Sequence, residues 1–406
     1  MTEQATLNLA VPAETASDET RVALAPNHVS LVTKLGLQVC IQADAGRSAG
    51  FTNEDYEAKG ARIVPGRAEL LKQADIVLSV RSLGANPAKA QADVESLQDG
   101  QVLIASCDPL TDPQPVQTAA DRGLTAFALE LVPRITRAQS MDILSSMATV
   151  AGYRAVLLAA TAAPRMFPMM MTAAGTLKPA RVLVIGAGVA GLQAIATAKR
   201  LGAVVYGYDI RPAVREQVES LGGKFVELDL ETGQSEGAGG YAKEMDEDFY
   251  RRQQEEMKKV VAGCDIVVTT AAIPGRKAPI LVTNAMVEAM APGSVIVDLA
   301  AERGGNCEMT VAGETIHHNG VKILGPCNLP ADVPVHASEM FSRNIVNFLQ
   351  LLVRDGQLHI DLEDEIVRDT LLCRGREVVH EKIRELLGLP TPVAAGAESD
   401  ATAADS

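Results

Sequence analysis

Three glycines, Gly186, Gly188 and Gly191, stand in a G-x-G-x-x-G spacing between the apolar run Val182-Leu183-Val184-Ile185 and a helical pattern that opens at Val189. The chemistry open to such a turn is capture of an anion by backbone. Gly186 lets the chain turn sharply, Gly188 lets the backbone approach a pyrophosphate, and Gly191 lets the helix pack tightly on the strand. The helix start at Val189-Ala190 offers free N–H groups and the positive end of the helix dipole. A second apolar run ends in Asp209, where a carboxylate can accept ribose hydroxyls. The glycines alone could be a tight strand–helix turn with no ligand. Strand, helix, second strand and terminal acid in register point instead to a dinucleotide. A carboxylate at Asp209 repels a 2′-phosphate and favours NAD(H) over NADP(H), a preference that Arg211 softens.

Such a turn needs a parallel sheet to hold it. Strand-like runs at Leu7–Val11, Gln38–Ile41, Arg62–Val64, Asp75–Val80, Gln101–Ala105 and Thr125–Leu129 alternate with helical stretches. This βαβ rhythm predicts a parallel sheet covered on both faces, without a glycine turn of its own. Helix follows from Met141 to Leu158, and the second unit adds strands at Phe225–Leu228, Asp265–Thr269, Val295–Leu299 and Lys322–Leu324. The expected fold is α/β, with two Rossmann-like doubly wound domains separated by a cleft. The N-terminal domain spans 1–143 and is completed by 335–389, where one long helix (Ser338 to Arg354) and two shorter ones pack back on it. The dinucleotide-binding domain spans 144–334, and 390–406 is a disordered tail. The glycine-rich stretch Asp229 to Glu244 reads equally well as a functional mobile loop or a passive surface excursion.

With 406 residues, 47% of them hydrophobic, the chain is globular and long enough for two cores. Its net charge of −14 argues against nucleic acid as a partner. The six cysteines form no C-x-x-C pair, which suits reduced thiols in the cytoplasm. The apolar segment Ala155 to Ala163, bounded by arginines, falls short of the roughly 20 residues of a membrane span, so a buried helix and a soluble chain are expected. His317-His318 near Glu314 lacks catalytic-zinc spacing, and no metal is expected.

VPAETASDETRVALAP (Val11–Pro26), PRITRAQSMDILSS (Pro133–Ser146) and IPGRKAPILVTNAMVEAMAPGSVIVDLAAERGGNCE (Ile273–Glu308) together resemble the alanine dehydrogenase / proton-translocating NAD(P)+ transhydrogenase α-subunit superfamily. The resemblance runs nearly end to end, to about Leu389. The branches differ in chemistry. Amino-acid oxidation needs a positioned acid/base and a cation for the substrate carboxylate. That branch has a histidine where this chain reads VLIASCDPL, an Asp-Gln where it has Glu302-Arg303, and a lysine where it reads Val80-Arg81-Ser82-Leu83. Arg21 remains, read as an ion-pair residue. Ala13 replaces a lysine usual in the signature. Hydride transfer between two nicotinamides moves no proton at the site and needs only orientation, proximity and exclusion of water.

The resemblance therefore implies the transhydrogenase branch: an NAD(H)-binding chain that passes hydride to NADP+ on a partner. It implies catalytic roles for Arg134, Gln139, Asp142 and Ser145, which hold the nicotinamide carboxamide and ribose, with Gln139 reaching the second nucleotide. By the residues alone, the favoured reading is a capped helix start, with Ser140 and Asp142 as the capping residues. The expected NAD(H) contacts are Gly186, Gly188, Val189, Ala190, Gly191, Asp209, Ile210, Arg211, Ala271 and Ala272, with Tyr241 and Met245 on a closing loop. Implied partners are a membrane-spanning subunit, an NADP(H)-binding subunit and a second copy of this chain, which places it at the cytoplasmic face of the inner membrane. The methionines of RMFPMMMTAAGTLKPARV (Arg165–Val182) are read as packing or subunit-interface residues.

Overall fold

The computed structural model describes residues 6–228, 247–272 and 275–390. Tyr241, Met245, the whole glycine-rich stretch Asp229 to Glu244 and the tail beyond 390 lie outside the described residues.

The first sheet contains β1 (Asn8–Val11), β2 (Gln38–Gln42), β3 (Arg62–Val64), β4 (Ile76–Arg81), β5 (Val102–Ser106) and β6 (Thr125–Ala128). They lie parallel in the order β6-β5-β4-β1-β2-β3. The hairpin Leu371–Arg374/Glu377–Val378 extends the sheet antiparallel to β6, pairing Leu371 with Phe127. The two short helices expected after the long one are present, but the strand pair between them was not foreseen. Helices Glu365–Thr370 and Glu381–Leu386 flank a strand pair, because the apolar Leu371-Leu372-Cys373 is buried against β6, far away in sequence. Nearly every first-sheet strand is apolar on both faces, and separate clusters cover the two sides, one built on Leu9, Ile104 and Phe348, the other on Ala10, Leu103 and Leu124.

An exposed antiparallel hairpin, β7 (Met170–Thr172) and β8 (Gly175–Leu177), leads into the second sheet. That sheet consists of β9 (Arg181–Ile185), β10 (Val204–Tyr208), β11 (Lys224–Phe225), β12 (Ile266–Thr269), β13 (Val295–Asp298), β14 (Thr315–His318) and β15 (Val321–Leu324), ordered β11-β10-β9-β12-β13-β15-β14. All neighbours are parallel except β14, which runs antiparallel to β15 at the edge and carries His317 and His318. The strand order reverses at β9, whose neighbours are β10 and β12. Ligands of open parallel sheets bind outside strand C-termini at such a switch point.

Two helices join the units. Pro334–Leu352 buries Phe341, Ile345, Phe348 and Leu349 in the first core. Ile143–Ala162 runs about one turn past the expected end at Leu158, and Arg154 inside it pairs with Asp332 at 3.0 Å. At 20 residues with a mean hydropathy of 1.5 it is long and apolar enough to cross a membrane by length and composition alone. Here it packs against Val189–Arg200 and Pro334–Leu352, and a methyl added at Gly152 would lie 2.1 Å from the Ala190 carbonyl oxygen.

Candidate functional site

β9 ends at Ile185, and Gly186 turns the chain at φ +94°, a left-handed conformation that favours glycine. The Thr270 hydroxyl donates to the Gly186 carbonyl at 3.0 Å and ties the turn to the end of β12. A methyl at Gly191 would sit 1.8 Å from the Gly186 carbonyl oxygen, so Gly191 is where helix and strand touch. Gly188 differs, since a methyl there would meet nothing within 4 Å. Helix Val189–Arg200 begins at Gly188 without a side-chain cap. Its first N–H groups are left for whatever enters the cleft.

Asp209 follows β10 and is 9% exposed. Its Oδ2 accepts the Ala187 N–H at 2.8 Å, so carboxylate and glycine turn hold each other. Arg211 donates its own N–H and Nε–H to Oδ1, both at 2.9 Å, and a terminal N–H to Oδ2 at 2.8 Å.

The turn faces a cavity of about 1160 Å³ between the two units. Gly186, Gly188, Val189, Ala190, Asp209, Ile210, Arg211, Ala271 and Ala272 line it from the second unit, and Arg134 and Ser145 from the first unit and the joining helix. Three expected residues are placed otherwise. Gly191 lies beneath the turn and acts through packing. Asp142 caps helix Ile143–Ala162, accepting the Ser145 N–H at 2.9 Å and its hydroxyl at 2.5 Å. It therefore orients Ser145 rather than lining the cavity. Gln139 lines a separate polar groove with Ser140, Arg343, Asn344 and Asn347, because the 3-10 turn Thr136–Met141 carries it onto the face beside helix Pro334–Leu352.

Several residues that shape the site were not singled out by the sequence. Asn306, fully buried, accepts the Ala271 N–H at 3.0 Å and donates to the Ala271 and Pro279 carbonyls, both at 2.8 Å. Asp298 holds Asn306 in turn, accepting its N–H at 2.7 Å, the Cys307 N–H at 3.0 Å and the Thr310 hydroxyl at 2.7 Å. Their signal was only the dense polar run after β13, which did not rank one residue above another.

The first-unit wall is held by ion pairs and buried carboxyls. Arg21 lines the cavity, but its guanidinium is paired with Glu19 at 2.7 and 2.6 Å and also donates to Asn328 Oδ1 at 3.2 Å. Burial opposes charging Glu19, yet the Arg21 hydrogen bonds outweigh it and hold its pKa below the usual range. Across the cavity, Arg303 reaches Asp108 at 2.8 Å and the Thr111 hydroxyl at 2.5 Å. Glu130 closes this wall. One oxygen accepts the Cys107 N–H at 2.6 Å and the Asp108 N–H, while the other is buried without a partner. Burial, with backbone hydrogen bonds working against it and the Asp108 charge adding to it, pushes its pKa up to about 7. Among the described residues that line the cavity there is no histidine and no lysine.

Two parallel-sheet units facing across a cavity, one with a glycine turn and a carboxylate beyond the next strand, define a Rossmann-like nucleotide-binding oxidoreductase fold. The chain belongs to the alanine dehydrogenase/PNT family, whose N-terminal domain matches residues 10–151 and C-terminal domain residues 155–381. It is 48% identical over 380 residues to the first part of the NAD(P) transhydrogenase subunit alpha of Rhodospirillum rubrum, covering 92% of this chain and 98% of the relative. The corresponding protein of Rickettsia prowazekii is 43% identical, with 92% and 96% covered. The alanine dehydrogenase of Mycobacterium tuberculosis is more distant at 27%, with 95% and 98% covered. Among solved structures, a transhydrogenase from Sinorhizobium meliloti superposes with a TM-score of 0.80 at 42% identity, covering 92% of this chain and 99% of that one.

Proposed function

We propose that this chain is the NAD(H)-binding component of a Re/Si-specific proton-translocating transhydrogenase. Hydride leaves C4 of NADH for C4 of NADP+ held by a partner subunit, giving NAD+ and NADPH, and a membrane-spanning partner couples this to proton passage. In this reading 144–334 binds NAD(H), and 1–143 with 335–389 forms the facing wall. Gly186, Gly188, Val189 and Ala190 take the pyrophosphate, Asp209 and Ile210 the ribose with Arg211 beside them, and Ala271 and Ala272 the inner half. Arg134 and Ser145, the latter oriented by Asp142, hold the nicotinamide, and Gln139 reaches toward the partner. The free Gly188 flank and uncapped helix start fit a pyrophosphate. Exposed Met169 and Met171 at the β7–β8 hairpin, 60% and 79% accessible, support a homodimer face. The chain would sit in the cytoplasm, attached to the inner membrane through its partners.

One observation carries the choice of reaction: Arg21, the one residue of the amino-acid branch's substrate side that the resemblance leaves here, is already neutralised by Glu19, in a cavity wall without histidine or lysine among the described residues. Transfer between two nicotinamides needs neither group. The second reading is an alanine dehydrogenase-like amino-acid oxidoreductase, and Glu130 favours it as a carboxyl poised near neutral pH. The two are separated by assay. Mixing the purified chain with membranes that hold the partner subunits should restore NADH-to-NADP+ transfer, whereas alanine- or pyruvate-dependent turnover by the chain alone would sink the transhydrogenase reading.

A further inference from the structure

We infer that Arg211 is a built-in competitor for the ribose at Asp209, weakening NADH binding so that the nucleotide can leave at each turnover. The inference rests on the reading of the glycine turn as an NAD(H) site, and it concerns how tightly that site holds its ligand.

A carboxylate offers about four acceptor positions in its plane. At Asp209 four protein donors already occupy them: the N–H groups of Ala187 and Arg211 and two N–H groups of the Arg211 guanidinium, all at 2.8–2.9 Å. The two backbone donors cannot leave without rebuilding the turn. Ala187 is part of it, and the Arg211 N–H is fixed by the chain entering the 3-10 turn Pro212–Val214. The guanidinium is the movable member.

A ribose diol that engages Asp209 needs two acceptor positions, and the guanidinium holds two. Diol and arginine therefore contend for the same lone pairs. The contest is not diluted by solvent, since the arginine and aspartate side chains are 13% and 5% exposed. The guanidinium bonds carry charge on both partners and the ribose bonds on the carboxylate alone, so giving up the ion pair offsets part of what the ribose gains. Arg211 lines the cavity, which gives the displaced guanidinium room on the ligand side. A nucleotide that is a consumed substrate must dissociate quickly, and an internal rival for its ribose achieves that without weakening the pyrophosphate cradle.

The competitor has a second consequence. With a 2′-phosphate in place of the hydroxyl, the released guanidinium gains an anion to pair with, while Asp209 repels that anion. Removing the arginine then leaves only repulsion. Loss of Arg211 should move the two nucleotides in opposite directions.

The test uses the full chain with Arg211→Met, which keeps the apolar stem, and Arg211→Lys, which keeps the charge but not the fork. NADH and NADPH affinities are read by fluorescence titration and NADH release by stopped flow. Arg211→Met should lower the NADH Kd by roughly three- to tenfold, mostly through slower release, and weaken NADPH. Arg211→Lys should fall between. An unchanged or raised NADH Kd in both variants overturns the competitor role while leaving the NAD(H) reading in place. Failure of the unsubstituted chain to bind NADH saturably would overturn both.

Discussion

The Asn306 side chain and the Ala271 backbone exchange two hydrogen bonds, N–H to Oδ1 at 3.0 Å and Nδ2–H to the carbonyl at 2.8 Å. An amide side chain thus does beyond the end of β12 what a neighbouring strand does along it. Asn306→Leu would orphan the Ala271 N–H and the Ala271 and Pro279 carbonyls, each at a cost of about 1–3 kcal/mol. Calorimetry should show a clear fall in Tm, and NADH titration a Kd at least roughly tenfold higher. Asn306→Asp, which keeps the acceptor for Ala271 N–H, should lose less. If Asn306→Leu binds NADH normally, Ala271 does not position the ligand.

The glycines of the turn should separate under substitution. Gly188→Ala places a methyl in open space, so Tm should stay within about 1 °C while NADH affinity drops at least roughly tenfold, because the methyl enters the pyrophosphate path. Gly191→Ala drives a methyl to 1.8 Å from the Gly186 oxygen, and overpacking of this kind costs about 1–3 kcal/mol or more. It should lower Tm and affinity together. Unimpaired NADH binding by Gly188→Ala would show that no phosphate lies over that residue.

Glu130 gives a pH signature. Its pKa rises from 4.5 to about 7 through burial, so between those values the folded state binds more protons than the unfolded chain, and stability falls as pH rises. The contribution is full below 4.5 and is lost as pH passes about 7. Glu130→Gln keeps an acceptor for the Cys107 and Asp108 N–H groups but cannot titrate. Relative to this variant, the unsubstituted chain should be more stable at pH 5 than at pH 8, as denaturant midpoints would reveal. Glu14, half-buried and accepting from the Val80 and Arg81 N–H groups, is raised to about 7 by the same cause and should add a parallel trend.

The Glu19–Arg21 pair is nearly closed to solvent, at 0% and 7% side-chain exposure. Arg21→Met alone strands a buried carboxylate and should cost about 3–5 kcal/mol. Glu19→Gln with Arg21→Met should recover much of that loss. A single variant no less stable than the double would show that the pair is not coupled, and a free Arg21 would revive the amino-acid reading.

Much of the scaffold was legible because it is repetitive. β3 matches its expected limits, and β2, β4, β5 and β12 differ only at their ends, since apolar runs bounded by glycine or acid mark strands covered on both faces. The C-terminal hairpin was illegible for a definite reason. Leu371-Leu372-Cys373 carries too few residues to show a period, and its partner β6 is brought beside it only by the return of helix Pro334–Leu352. Asp142 and Gln139 stand three residues apart in one motif, yet one caps a helix and the other faces an outer groove. No spacing rule separates those fates.

By itself the sequence determined the glycine turn, the strand and helix after it and the acid that closes the unit, because these depend on local dihedral freedom and on periodicity within one βαβ stretch. Tertiary structure alone decided that Arg211 occupies the carboxylate of Asp209, that Glu19 silences Arg21, and that Asn306 holds Ala271. Two of these pairs lie two residues apart in sequence, but whether their charges meet depends on burial, on the backbone donors beside them and on the low dielectric they share, none of which is encoded in spacing.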